Sequence, residues 1–267
     1  MAHGLGQRSS LSSQLVSFDV TADAYGRFMG RYSDLLAEPF LDQAAIRAGQ
    51  RALDVGCGPG ALTARLVERL GPAAVAAVDP SPSFVDAAKA RFPDVDVRSG
   101  VAERLPFDDD SFDRTLAQLV VHFMTDPVTG LTEMARVTRP GGLVTACTWD
   151  HAGGTGPLAT YWEAARSLDP QVGDESGLPG TREGHLVDLC EAAGLTQVEP
   201  SVLTVSVRYA TFDEWWEPYT LGVGPAGAYV ARLDPARRDA LQTRCAELLP
   251  EAPFEVSASA WCVHARV

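Results

Sequence analysis

Two acidic residues and three glycines in the first half of the chain have the types and spacing of a nucleotide-binding site. Asp54 comes just before Gly56, Gly58 and Gly60, and Asp79 follows at about the distance of a ribose-binding acid, roughly 20 residues on. Glycines at every second position let the backbone turn sharply and let a ligand approach where a Cβ would collide. This pattern predicts a nucleotide-like ligand, with Asp79 accepting hydrogen bonds from two ribose hydroxyls.

Two kinds of cofactor fit the glycine run. Gly56, Gly58 and Ala61 satisfy a relaxed dinucleotide fingerprint, so a nicotinamide-dependent oxidoreductase is one alternative. Asp54 argues against it, because a carboxylate this close to the first glycine would repel a pyrophosphate. S-adenosylmethionine has a sulfonium, an ammonium and no phosphate, and it still offers a ribose diol. The charges of this segment therefore favour S-adenosylmethionine.

The elements that position these residues can be predicted from apolar runs that alternate with helical patterns. Such alternation is typical of a parallel sheet covered on both faces. The runs are residues 51–55, 74–78, 112–117 and 143–149, with a weaker edge strand at 95–98 and later strands at 195–209 and 254–267. Ser81 before Pro82, and Asp126 before Pro127, have the pattern of helix N-caps.

Five segments together resemble, in order and spacing, the motifs of class I S-adenosylmethionine-dependent methyltransferases. The resemblance is strongest to the branch that includes the ubiquinone and menaquinone biosynthesis enzymes and many small-molecule methyltransferases. It is dense over residues 51–149 and loose elsewhere. The segments are residues 53–60, 78–81, 100–107, 110–113 and 139–142.

The resemblance implies an α/β fold, with a doubly wound, Rossmann-like, mostly parallel sheet of seven strands in the order 3-2-1-4-5-7-6 and the last strand antiparallel. It also implies one domain with insertions. We expect a disordered tail at 1–17, a helical lid at 18–50, a cofactor-binding core at 51–150, and the remainder at 151–267 with acceptor-side cap segments at about 151–181 and 211–235.

The resemblance further implies which residues hold the cofactor. Tyr25 and Arg31 would close over it, with Arg31 meeting its carboxylate. Valine stands at position 101, where the family commonly has an acid that accepts from the adenine amino group; the backbone of Ala102 or the carboxylate of Glu103 would have to replace it. The other cofactor-binding candidates are Asp54, Gly56, Cys57 through its backbone, Gly58, Gly60, Asp79, Pro80, Ser81, Phe84, Val101, Gln118 and Leu119.

The acceptor side has two candidate features. His122 stands where this branch often carries histidine, and an imidazole with an ordinary pKa could remove a proton at neutral pH; packing without chemistry is the alternative. Trp215, Trp216 and Tyr219 form a dense aromatic cluster that would wall an apolar acceptor pocket. A docking surface between cap and core is the alternative for these three.

The amino-acid composition argues against several classes of binding partner. The formal net charge of −13 disfavours binding to nucleic acid or to anionic membranes. The five cysteines are odd in number and lack the short paired spacing of a disulfide framework or zinc site. With no membrane-spanning run and no signal sequence, we expect a cytoplasmic protein without a bound metal. One lysine among many arginines suggests a bacterial, GC-rich source.

The sequence therefore predicts an enzyme that transfers a methyl group from S-adenosylmethionine, released as S-adenosylhomocysteine, to a small apolar or aromatic acceptor. An aligned nucleophile in a water-poor pocket would be sufficient for in-line displacement. Two alternatives stay open: a noncatalytic regulatory protein that binds S-adenosylmethionine, and a nicotinamide-dependent oxidoreductase.

Overall fold

Seven strands form a single sheet whose order is the one that the sequence implied. The computed structural model of the protein describes residues 22–267, and the predicted tail at 1–17 lies outside the described residues. The strands are β1 Ala52–Val55, β2 Val75–Asp79, β3 Asp96–Ser99, β4 Phe112–Gln118, β5 Thr138–Trp149, β6 Thr196–Tyr209 and β7 Phe254–Arg266.

The sheet order is β3-β2-β1-β4-β5-β7-β6. Strands β1 to β5 pair in parallel, and β7 runs antiparallel to both of its neighbours, β5 and β6. This confirms the predicted fold class. The carboxyl ends of β1, β2 and β4 consequently meet along one edge of the sheet, which is where open α/β sheets bind ligands.

Helices cover both faces of the sheet because their apolar residues recur at helical spacing. The buried side chains form two clusters, one that includes Leu62, Leu66 and Leu36, and one that includes Leu131 and Met134. The helices are α1 Ala22–Tyr25, α2 Arg31–Gln43, α3 Ala61–Leu70, α4 Pro82–Arg91, α5 Pro127–Val137, α6 Ala159–Leu168, α7 His185–Ala192, α8 Phe212–Trp216, α9 Gly224–Arg232 and α10 Pro235–Leu248. A π-helix, Gly26–Gly30, joins α1 to α2.

The two predicted N-caps differ. The Asp126 carboxylate accepts from the Thr129 backbone N–H at 3.1 Å and caps α5 as expected. Ser81 occupies the cap position of α4, but its side chain makes no capping bond. The Ser81 hydroxyl instead lies 3.0 Å from the Ser83 hydroxyl, so the prediction of a serine side-chain cap was wrong.

The N-terminal helices pack against the segment between β6 and β7. The Tyr209 hydroxyl donates to the Tyr32 hydroxyl at 3.0 Å, and both side chains are buried. Arg31 forms an ion pair with Glu214 on α8 at 3.0 Å. These contacts tie residues before β1 to the end of β6 and to α8.

Within residues 22–267, no helix combines the length and apolar character needed to cross a membrane. The same part of the chain has no group of three or more His, Cys, Asp or Glu side chains placed to hold a metal ion. All five cysteines are free and buried.

Candidate functional site

The three glycines after β1 have different structural tasks. All three have positive φ angles, +70° at Gly56, +54° at Gly58 and +93° at Gly60. A Cβ on Gly56 would lie 2.4 Å from Val120, and one on Gly60 would lie 2.5 Å from Phe92. A Cβ on Gly58 would meet nothing within 4 Å. Packing therefore requires two of the glycines, whereas Gly58 borders open space that a ligand can occupy.

Asp79 is held beside Gly58 by two backbone donors. The side chain is buried, its Oδ2 accepts from the Gly58 N–H at 2.9 Å, and its Oδ1 accepts from the Ser81 N–H at 2.8 Å. Burial raises the pKa of this carboxyl, and the two N–H donors oppose the rise. Each carboxylate oxygen can accept a further hydrogen bond, so Asp79 can still bind a pair of hydroxyls.

Asp54 adds a second buried carboxyl below the same turn. Its Oδ2 accepts from the Thr63 hydroxyl at 2.6 Å. Burial raises the pKa of Asp54 to about 7, and the negative charge of Asp79 contributes to the rise. A positive charge nearby would stabilise the ionised forms of these two buried acids. The turn therefore suits a cationic ligand and disfavours a pyrophosphate, as the sequence indicated.

The carboxyl end of β4 shows an unpartnered acceptor and a strained residue. Gln118 is buried, and its Nε2 donates to the Ser33 carbonyl at 2.9 Å, while its Oε1 finds no hydrogen-bond partner among the described residues. Leu119 has a φ of +63°, which a leucine adopts only when its surroundings impose it. Strain and an unpaired buried acceptor together mark a position where a ligand is expected.

The predicted adenine side is more open. Phe84 is buried, and its ring centroid lies 5.4 Å from that of Tyr25. Val101 is 47% exposed, whereas Ala102 is buried. Pro80 is exposed and Ser81 half-buried.

Glu103 has a structural task that the sequence did not reveal. Its Oε1 accepts from the Thr125 N–H at 2.7 Å and from the Asp126 N–H at 3.2 Å. The carboxylate thus holds the loop before α5.

A cavity of about 470 Å³ opens beside Leu119. Its polar side chains include Tyr25, His122, His151 and Glu175, and His122 lies in a 3₁₀ turn, Val121–Phe123, that follows β4. Burial lowers the pKa of His122 well below its usual value. The remaining wall is formed by Phe28, Met29, Leu119, Phe123, Trp149, Leu158, Val223, Gly224 and Pro225.

Comparison with known proteins agrees with this geometry. Residues 53–146 match a family described as "Methyltransferase domain". Over these residues the chain carries a class I S-adenosylmethionine-dependent methyltransferase domain. The matched segment runs from β1 into β5 and contains Asp54, the glycine turn, Asp79 and His122.

The domain's relatives and structural neighbours match it to different extents. An uncharacterized methyltransferase of Mycobacterium tuberculosis is 40% identical over 127 residues, 48% of this chain and 49% of the relative. A demethylmenaquinone methyltransferase of Beutenbergia cavernae is 38% identical over 125 residues, covering 47% and 50%. This chain thus spans about half the length of these relatives. The crystal structure of the YcgJ protein from Bacillus subtilis shares the fold, with a TM-score of 0.57 at 19% identity, covering 88% of this chain and 97% of that one.

The lid residues of the methyltransferase domain are only partly where the sequence placed them. Tyr25 lines the cavity. Arg31 pairs with Glu214, and its guanidinium lies 5.2 Å from the Tyr209 ring centroid. In this conformation Arg31 connects the lid to α8.

The predicted aromatic wall lies behind the cavity. Trp215, Trp216 and Tyr219 are buried, and none of them lines the cavity. Tyr219 stacks on Tyr161 at 4.5 Å and contacts Phe28 edge-on at 5.1 Å. Because Phe28 does line the cavity, the cluster supports the wall rather than forming it. This agrees with the alternative of a docking surface between cap and core.

His151 and Glu175 were missed by sequence reasoning. His151 follows Trp149, the last residue of β5, by two positions. Its place just past the carboxyl end of a parallel strand is a signal that could have identified it. Glu175 lies in a 3₁₀ turn, Glu175–Gly177, within a loop rich in glycine and acid, and nothing local to it indicates a buried carboxyl.

Proposed function

We propose that the protein transfers a methyl group from S-adenosylmethionine to a small acceptor that binds in the cavity beside Leu119. The observation that carries the proposal is the Asp79 carboxylate, fixed by two backbone N–H groups next to the open space at Gly58. A ribose diol suits this acid, and a sulfonium and ammonium suit the buried Asp54 and the unpaired Oε1 of Gln118. The residues present therefore fit the cofactor.

The cofactor, when bound, supplies a methyl group on a positively charged sulfur. The chain's own contribution is to bind, orient and exclude water. Asp79 holds the ribose, the strained turn at Leu119 positions the backbone at the end of β4, and the apolar wall keeps the acceptor dry. Alignment of two reactants in such a site is itself a large part of catalysis.

Support for a small, apolar or aromatic acceptor comes from the cavity wall. Tyr25, Phe28, Met29, Phe123 and Trp149 contribute mostly apolar surface to it.

The first test is cofactor binding by calorimetry. We expect saturable binding of S-adenosylmethionine and S-adenosylhomocysteine, and we expect Asp79→Ala to weaken it by about tenfold or more, since loss of hydrogen bonds to a charged acceptor removes more than about 1.4 kcal/mol. Asp86→Ala, at an exposed acid on α4, is the matched control and should bind as the wild type does. Failure of the wild type to bind either compound would refute the proposal, and binding of reduced nicotinamide cofactor instead would favour an oxidoreductase.

Catalysis is tested separately from binding. The protein is incubated with methyl-labelled S-adenosylmethionine and a metabolite extract of its source organism, and labelled products are identified by mass. We expect a labelled small molecule whose yield falls when Asp79→Ala replaces the wild type. Tight binding without any labelled product would favour the noncatalytic regulatory alternative.

A further inference from the structure

Besides Tyr25, three titratable side chains from three separate segments line the cavity. The His122 and His151 ring centroids lie 6.1 Å apart with the rings at 70°. Glu175 lines the same cavity, and together with His151 it also lines an adjoining cavity of about 250 Å³. His151 and Glu175 therefore form a partition between the two cavities, with His122 facing them from the end of β4.

Two of these groups carry buried atoms without a partner. Nδ1 of His122 and Oε2 of Glu175 make no hydrogen bond among the described residues. Nε1 of Trp162 lies beside the Glu175 carboxyl but outside hydrogen-bonding geometry. Since buried polar atoms are nearly always paired, the His122 and Glu175 atoms are positions where a molecule in the cavity would find hydrogen-bonding partners.

The cavity has little charge to offer an ionic ligand. No arginine or lysine is among the described residues that line it. Arg166 faces the adjoining cavity and is paired with Asp174. Burial keeps both imidazoles neutral by lowering their pKa, to about 4 for His151, and raises the pKa of Glu175 to about 7. An acceptor with a carboxylate or phosphate would find no counter-charge here.

We propose that His122, His151 and Glu175 form one acceptor-binding and proton-handling site, which takes an uncharged molecule through an ionisable hydroxyl group, such as a phenol or an enol. This inference rests on the proposed methyl transfer. The hydroxyl donates to Nδ1 of His122, and a second polar group of the acceptor pairs with Glu175. His151 lies beside His122, with 6.1 Å between the ring centroids, and lines both cavities together with Glu175.

The proton balance of the step is simple. The O–H bond breaks with its electron pair left on oxygen, and the proton goes to Nδ1 of His122. The oxygen, or the carbon conjugated to it, gives an electron pair to the methyl carbon, while the C–S pair returns to sulfur. One positive charge leaves the sulfonium and one appears on the imidazole. From there the proton passes to solvent, since burial lowers the pKa of His122 well below its usual value.

The experiment uses para-nitrophenol as the probe, since its neutral and ionised forms absorb at different wavelengths. The protein is titrated with and without saturating S-adenosylhomocysteine at mildly acidic pH. Para-nitroanisole, which lacks the O–H, and para-nitrobenzoate, which is anionic, are the comparison ligands. We expect nitrophenol to bind about tenfold more tightly than either, the effect of one buried hydrogen bond of about 1.4 kcal/mol.

Substitutions test whether His122 and Glu175 cause the preference for nitrophenol. His122→Phe and Glu175→Leu should each reduce the preference for nitrophenol to less than about threefold, because removing one hydrogen-bonding partner leaves mainly apolar contact. Glu183→Leu, at an exposed acid eight positions away, is the matched control and should keep the full preference.

A measurement on the wild-type protein tests the inference even if a variant does not fold. In nuclear magnetic resonance, the ring signals of His122 and His151 should shift when nitrophenol binds, while those of His185 and His264, outside the cavity, should not. Nitrobenzoate binding as tightly as nitrophenol, absence of nitrophenol binding, or unmoved His122 and His151 signals would each overturn the inference. If S-adenosylhomocysteine fails to bind while the nitrophenol preference remains, the proposed methyl transfer fails and the acceptor site stands.

Discussion

At the scale of a single residue, a substitution at Gly58 should weaken ligand binding much more than it destabilises the fold. Its neighbours Gly56 and Gly60 face Val120 and Phe92, whereas Gly58 faces open space. We expect Gly58→Ala to lower the free energy of unfolding by only about 1 to 2 kcal/mol, the cost of alanine in the left-handed region. The new methyl group would project into the space left for the ligand, so binding of S-adenosylhomocysteine should fall by well over tenfold. Urea unfolding and calorimetry measure the two effects separately.

Gly184 provides a control with similar backbone strain away from the ligand. It precedes α7 in the left-handed region, with a φ of +76°, and a Cβ there would meet nothing within 4 Å. Gly184→Ala should lose a similar amount of stability and no affinity. Equal affinity losses in the two variants would mean that Gly58 acts on the ligand through the fold, and that the open space beside it is not the ligand site.

At the scale of elements, one buried hydrogen bond connects the lid to the sheet. Tyr32 on α2 accepts from Tyr209 at the end of β6. We expect Tyr209→Phe to lower the free energy of unfolding by about 1 to 3 kcal/mol, since it leaves the buried Tyr32 hydroxyl without this partner. Urea denaturation gives the value.

A double-mutant cycle checks the cause of that loss. Tyr32→Phe with Tyr209→Phe removes both hydroxyls, so the double variant should be more stable than the sum of the two single losses predicts. Tyr229→Phe, on the half-buried Tyr229 of α9, should change stability by less than about 0.5 kcal/mol. Strict additivity of the two single losses would show that the hydroxyls do not stabilise each other.

Elements also explain which parts of the site could be predicted from sequence. The strand order, the glycine turn and the position of Asp79 follow from the matched motifs and from local patterns, because each strand is followed directly by the residues it presents. The ion pair between Arg31 and Glu214 could not be predicted, since it depends on how α8 packs on α2. Glu175 was missed for the same reason: its burial is decided by α6 and by the loop around His151, not by its neighbours in sequence.

At the scale of the whole molecule, buried titratable groups have opposing effects on stability. Glu175 has a pKa of about 7 when folded and 4.5 in the unfolded chain, so the stability it contributes is present below pH 4.5 and is lost as pH rises through 7. Asp54 acts in the same direction. His151, with a pKa of about 4 when folded against 6.5, contributes stability above pH 6.5 that is lost as pH falls. Between about pH 4 and about pH 7, a rise in pH therefore lowers the stability of the wild type through Glu175 and raises it through His151. These two effects offset each other.

Comparing Glu175→Gln with the wild type isolates one of these effects. The histidines and Asp54 are common to both proteins, so the difference in their free energies of unfolding should follow Glu175 alone. This difference should shift in favour of Glu175→Gln as pH rises from about 5 to 7, by at most about 1.4 kcal/mol per pH unit. Asp174, Arg166, His151 and Trp162 surround the carboxyl, and the repulsion from Asp174 acts in the same direction as burial. Glu183→Gln is the control, and its free energy of unfolding, measured with urea at each pH, should change with pH as that of the wild type does. If the free energy of unfolding of Glu175→Gln also changed with pH as that of the wild type does, Glu175 would be ionised throughout this range and the cavity would not be neutral.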